Sequence, residues 1–147
     1  MKIGLLVVGV ALVLGMIFVF QSQTKNTKKA HNNSEKEEKT VSNYKNVNTK
    51  EFDELLKDGN VLIVDVRTQT EYDSGRIRDA KLIPIDAFDK TLDKEPLAKG
   101  KKILIYCHSG NRSRTAAASL VLRGYEEVYN LQYGITEWEQ AGMTVEK

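Results

Sequence analysis

The chain has 147 residues, a formal net charge of +2, 29% charged residues and a single cysteine. That length suits one ordinary domain with an appendage, and one cysteine excludes an internal disulfide framework. Residues 41–147 hold 16 Lys and Arg against 17 Asp and Glu, so the globular part is near neutral; it has no basic stripe for nucleic acid.

The first segment, Ile3 to Phe20, is IGLLVVGVALVLGMIFVF, eighteen residues without a charge. As a helix it spans about 27 Å, close to the hydrocarbon thickness of a bilayer. Its length, and the lack of a small-residue cleavage site after Phe20, favour an uncleaved single-pass membrane anchor over a signal peptide. Lys2 precedes the run, while Lys25, Lys28 and Lys29 follow it. The positive-inside rule therefore favours a cytoplasmic C-terminal domain by a small margin. Cleavage would instead leave a secreted or periplasmic protein. Residues 21–43 have almost no apolar content and read as a flexible polar tether. His31 stands alone there, and no metal role is expected of it. The domain then runs over 44–147.

NTKEFDELLKDGN opens with the cap candidates Asn48 and Thr49. Phe52, Leu55 and Leu56 share one helical face, and Gly59 ends the helix. VLIVDV, 61–66, is a continuous apolar run with branched side chains, as in a buried parallel strand. TQTEYDSG predicts a short helical turn closed by Gly75. AKLIPI reads as a short strand that Pro84 restricts to an edge or an end. DAFDKTLDKEPLAKG is helix or loop, broken at Pro96, and KKILIYC is a second apolar strand. SRTAAASLVLRG, 113–124, predicts the best helix of the domain, with Ser113 as its cap and Gly124 closing it. EEVYNL is a further strand, and GITEWEQAG a last helix with Ile135 and Trp138 three apart and Trp138 in the core. Strands alternating with helices predict an α/β domain with a mainly parallel sheet between helical layers.

Cys107 lies where an apolar strand ends and a helix is about to begin. Ligands of open α/β sheets bind beyond the carboxyl ends of the strands. The connection HSGNR is short enough to curl its amides inward as an anion-binding nest, and the helix terminus adds free N–H groups. With Arg112 nearby, that field lowers a thiol pKa and supports a nucleophilic thiolate. Two anion chemistries fit: phosphoryl transfer and sulfur transfer. A cysteine phosphatase loop has five residues between cysteine and arginine, whereas Cys107 to Arg112 has four. The shorter ring favours one extra sulfur over a phosphoryl group.

The motifs LIVDVRTQTEYDSGRI, AKLIPI, ILIYCHSGNRS and NLQYGITEWEQAGMTV together resemble the rhodanese, or thiosulfate sulfurtransferase, family. The resemblance covers about Tyr44 to Lys147. It implies a rhodanese-like three-layer α/β domain and places a persulfide on Cys107. It implies that His108, Ser109, Gly110, Asn111, Arg112 and Ser113 bind substrate. It also implies that Asp65 and Arg67 support the loop and tie to Glu71. Arg76 and Asp79 depart from the family's usual histidine and glycine, and Tyr133 from the first of two glycines. Arg76 reads as a solvated surface side chain.

The implied reaction moves sulfane sulfur from thiosulfate or a related anionic donor to an external thiol, or to cyanide in an assay. No cofactor or metal is expected. With no second cysteine, the acceptor is a separate molecule, either a small thiol or a protein. The competing readings are an idle rhodanese-like module that binds a protein partner, and a cysteine phosphatase or arsenate reductase.

Overall fold

A computed structural model describes residues 43–147. The expected membrane run, and all of the tether but its last residue, lie outside the described residues. Among the described residues no helix is long and apolar enough to cross a membrane.

In chain order the elements are β1 (Lys45–Val47), α1 (Thr49–Leu56), β2 (Val61–Asp65), α2 (Gln69–Ser74) and β3 (Lys81–Leu82). A 3₁₀ turn (Ile85–Ala87) and α3 (Phe88–Lys94) follow, then β4 (Lys102–Tyr106), α4 (Asn111–Leu122), β5 (Val128–Leu131) and α5 (Gly134–Gln140). The five strands form one parallel sheet in the order β1-β5-β4-β2-β3. β4 is central, and Ile63 pairs with Leu104 and Asp65 with Tyr106.

The alternation of β4 divides the core. Ile103, Ile105 and Cys107 face one layer, where they meet Phe88 and Leu92 of α3 and Ala116, Ala117 and Leu120 of α4. Leu104 and Tyr106 face the other layer, against Phe52 of α1 and Ile135 and Trp138 of α5. Both faces are thus covered, which is why β2 from Val61 to Val64 and β4 from Ile103 to Tyr106 run apolar rather than alternating. Phe52 and Trp138 meet edge to face at 5.9 Å, and the indole N–H donates to the Thr144 carbonyl. The alanines of α4 let that helix lie close to the sheet.

Local chemistry sets the element boundaries. Asn48 and Glu51 form a reciprocal capping box at α1, and Thr68 and Glu71 form another at α2. Each satisfies two backbone N–H groups that the helix itself leaves unpaired. Lys99 donates to the carbonyls of Arg123 and Gly124 at the end of α4, and lies 3.8 Å from the centre of the Tyr125 ring.

One strand is new and two expectations are corrected. β1 was not anticipated; it is an edge strand in which only Val47 is buried. α4 begins at Asn111, with Gly110 as its N-cap at φ 88°, so Ser113 lies in the first turn rather than at the cap. Arg76 is half-buried, its guanidinium 4.8 Å from the Tyr72 ring centre and its backbone bridged to Glu146. Asp79, the other departure beside it, has a left-handed φ of 60°. Glycine adopts that conformation at lower cost.

Candidate active site

Cys107 follows the last residue of β4, and five residues carry the chain from its sulfur to Ser113 in the first turn of α4. The turn is tight because Gly110 is left-handed. A Cβ there would lie 1.9 Å from the Gln132 carbonyl oxygen, so only glycine fits. The Gly110 amide donates to Cys107 Sγ at 3.1 Å, and the Ser113 hydroxyl lies 3.4 Å from the same sulfur. Ser113 is fully buried and also bonds the Gly110 carbonyl at 3.1 Å.

Cys107 is 1% exposed. That burial pushes its pKa up, but the Ser113 hydroxyl and the amides of Ser113, Ser109 and Gly110 outweigh it. The net shift is below the ordinary thiol value. The Gly110 amide and the Ser113 hydroxyl converge on one sulfur, an arrangement suited to an anion.

Three further hydrogen bonds hold the backbone of the loop. The Ile135 amide donates to the Cys107 carbonyl at 2.8 Å. The Thr136 amide and hydroxyl donate to the His108 carbonyl at 3.2 and 2.8 Å. Gly134 precedes them at φ 66°, and a Cβ on it would lie 2.4 Å from the Cys107 carbonyl oxygen. These α5 residues were not anticipated as part of the site. The glycine before the last helix was their one sequence signal.

The remaining expected residues divide into two groups. Asp65 and Arg67 form a buried fork, with Arg67 Nε at 3.0 and 2.9 Å from the two carboxylate oxygens and Nη2 at 2.7 Å from Oδ2. Nη2 also donates to the Gly75 carbonyl at 2.6 Å. The fork stacks on Tyr106, whose hydroxyl accepts from the Ile77 amide. It braces the segment after β2 and does not reach Glu71.

Glu71 instead meets the loop directly. Arg112 Nη1 and Nη2 donate to its two oxygens at 2.8 and 2.6 Å, and Thr68 donates to Oε2 through both amide and hydroxyl at 2.9 Å. The Arg112 pair holds the Glu71 carboxyl at about 2, well below the usual carboxylate range, against the opposing effect of burial. Glu71 also raises the Arg112 pKa, burial lowers it, and the neighbouring Cys107 sulfur adds a smaller rise. His108, Ser109 and Asn111 are exposed around the loop, and Arg114 donates to the Asn111 side-chain oxygen.

The Rhodanese-like domain model matches residues 48–141, which includes every contact just described up to Thr136. The chain belongs to the rhodanese-like domain family. A sulfurtransferase from Allochromatium vinosum is 39% identical over 85 residues, covering 58% of this chain and 78% of that protein. A tRNA uridine(34) hydroxylase from Hamiltonella defensa is 36% identical over 95 residues, covering 60% of this chain. The chain spans only 26% of that hydroxylase. The rhodanese-related protein of Thermoplasma volcanium superposes with a TM-score of 0.63 at 28% identity, over 70% of this chain and 98% of that one. The rhodanese-like α/β fold with its central parallel sheet is therefore shared.

A cavity of about 540 Å³ is lined by residues of α1, β2, Trp138 and the C-terminal segment and shares no residue with the Cys107 loop. Cys107 itself sits in the turn between β4 and α4, its sulfur held by the Gly110 amide and the Ser113 hydroxyl.

Proposed function

We propose that this protein is a sulfurtransferase that carries sulfane sulfur as a persulfide on Cys107. The observation that carries this reading is the convergence of the Gly110 amide and the Ser113 hydroxyl on Sγ, which favours a thiolate despite burial. A thiolate needs no general base to attack sulfur.

In the first half-reaction the Cys107 thiolate attacks the outer sulfur of a sulfane donor. The donor's bond to that sulfur breaks, and its electron pair leaves with the remainder of the donor. The persulfide's terminal sulfur replaces the thiolate as the anion facing the loop amides. In the second half-reaction an external thiolate, or cyanide, takes the terminal sulfur and restores Cys107. His108 through Ser113 line the path, and Glu71 braces the loop through Arg112, while Asp65 and Arg67 brace the segment after β2. The names of relatives such as the Allochromatium sulfurtransferase support the class of reaction. The apolar run Ile3 to Phe20 extends the proposal to a membrane-held enzyme, which cell fractionation with protease access tests.

Incubating the full chain with sulfane donors and weighing it tests the chemistry. The expected result is a gain of one sulfur atom, lost on adding thiol and absent in Cys107→Ala. No gain with several donors overturns the reading and favours an idle module that binds a partner.

A further inference from the structure

The cavity bounded by α1, β2 and the C-terminal segment has a volume of about 540 Å³, and none of its lining residues takes part in the sulfur chemistry. That volume falls in the usual range for a small-molecule site. Its floor is apolar. Ile77 and Trp138 are buried there, while Leu56, Val61, Leu62 and Val145 are only half-buried and keep apolar surface for a ligand to cover. The Trp138 indole N–H already donates to the Thr144 carbonyl, so the indole offers contact area and no free donor.

The rim is charged, and carboxylates prevail. Arg78 is paired with Glu146 at 2.9 Å. Lys57, beside the rim, is divided between Asp53 at 3.1 Å and Glu54 at 2.8 Å. Asp79 lines the cavity, is exposed, and has no ion-pair or hydrogen-bond partner for its side chain among the described residues. Close to Gly59 of the lining, Asp58 and Lys102 pair with each other. Arg76 is directed at the Tyr72 ring and the Lys147 carbonyl. Asp53, Glu54, Asp79 and Glu146 against Lys57 and Arg78 leave two net negative charges, and one remains even with Arg76 counted.

We propose that this cavity is a second binding site, for a small organic ammonium with an apolar body, because an apolar floor of that size lies under a rim whose one unpaired charge is the Asp79 carboxylate. The body covers Trp138, Leu56 and Val61, and the ammonium meets Asp79 at the rim. A neutral ligand of the same shape gains the floor without the rim. An anionic one gains the floor and meets like charge. Nothing in the site depends on Cys107, so it stands or falls apart from the sulfurtransferase reading.

Trp138 is the only tryptophan in the chain, so its fluorescence reports on the cavity floor directly. The full chain is titrated with phenylbutylammonium, phenylbutanol and phenylbutyrate. The ammonium is expected to give a saturable change and to bind about fivefold more tightly than the alcohol, the effect of one exposed ion pair. Phenylbutyrate is expected to bind more weakly than the alcohol. Raising salt is expected to narrow the gap between ammonium and alcohol, since screening weakens attraction between exposed charges. Asp79→Asn removes the unpaired charge, and asparagine tolerates the φ of 60° as aspartate does. The variant is expected to bring the ammonium down to the alcohol and to leave the alcohol unchanged. No saturable change with phenylbutylammonium, or equal affinity for the three probes, overturns the proposal. A loss in Asp79→Asn that is equal for ammonium and alcohol overturns it as well, because the carboxylate would then act on the shape of the cavity and not on the charge of the ligand.

Discussion

The Ile135 amide donates to the Cys107 carbonyl oxygen at 2.8 Å, so the first turn of α5 is fastened to the backbone of the cysteine itself. Gly134 makes the approach possible. A Cβ on it would stand 2.4 Å from that oxygen and 2.5 Å from the His108 carbonyl carbon, both backbone atoms that have no room to yield. Gly134→Ala is therefore expected to destabilise the domain by about 3 kcal/mol and to abolish sulfur loading. Gly142→Ala is the control. It has a similar φ of 75° but nothing within 4 Å of its Cβ, so only the backbone cost of about 1 kcal/mol applies. Urea denaturation of the two variants checks this; equal losses would remove the steric argument.

Ser113 is expected to set the acidity of Cys107 through its hydroxyl as well as its amide. Burial works against the thiolate, and the Ser113 hydroxyl is the largest opposing contribution. Ser113→Ala keeps the amide and deletes the hydroxyl. The pH midpoint of Cys107 alkylation should lie below that of an ordinary thiol in the wild type and move upward in the variant. An unmoved midpoint would assign the acidity to the backbone alone.

These contacts also mark where sequence reasoning reached its limit. β2 and β4 were legible because continuous apolar runs have few other uses in a domain of this size. The Cys107 loop was legible because glycine, serine and a helix-forming run follow the cysteine without a gap. β1 was not, since Lys45 and Asn46 are exposed and its strand character comes from pairing with β5. The start of α4 was misplaced because Ser113 has the chemistry of a cap, while the chain turns at Gly110, whose positive φ no local pattern records. The Glu71–Arg112 pair joins residues 41 apart, and only the parallel order of β2 beside β4 brings them together.

The Asp65–Arg67 fork should matter for stability more than for chemistry. Asp65 is fully buried and Arg67 is 5% exposed. Removing one partner strands the other charge away from water, so Asp65→Ala is expected to cost about 3–5 kcal/mol. The paired replacement Asp65→Leu with Arg67→Met removes both charges and is expected to cost less than the single change. Denaturation midpoints of the two variants decide it; a double variant weaker than Asp65→Ala would mean that the fork's bond to the Gly75 carbonyl dominates.

Glu71 gives the fold an acid dependence whose sign follows from its depressed pKa. The folded value is about 2, held there chiefly by Arg112, against an ordinary value of 4.5. A carboxylate with a lowered folded pKa stabilises the native state fully above its unfolded pKa, and that contribution disappears as pH falls through the folded value. The window is therefore from about pH 4.5 down to about 2. Both side chains keep close to a third of their surface exposed, 30% for Glu71 and 31% for Arg112, so solvent screens the pair. After that discount the contribution is about 1 kcal/mol. Glu71→Gln should be less stable than the wild type by that amount at pH 6, and the gap should close as the pH approaches 2. Urea melts of both proteins across that range measure the gap. A difference that stays constant with pH would mean that the Glu71 side chain acts through its cap on Thr68 and its shape, with no contribution from the charge it presents to Arg112.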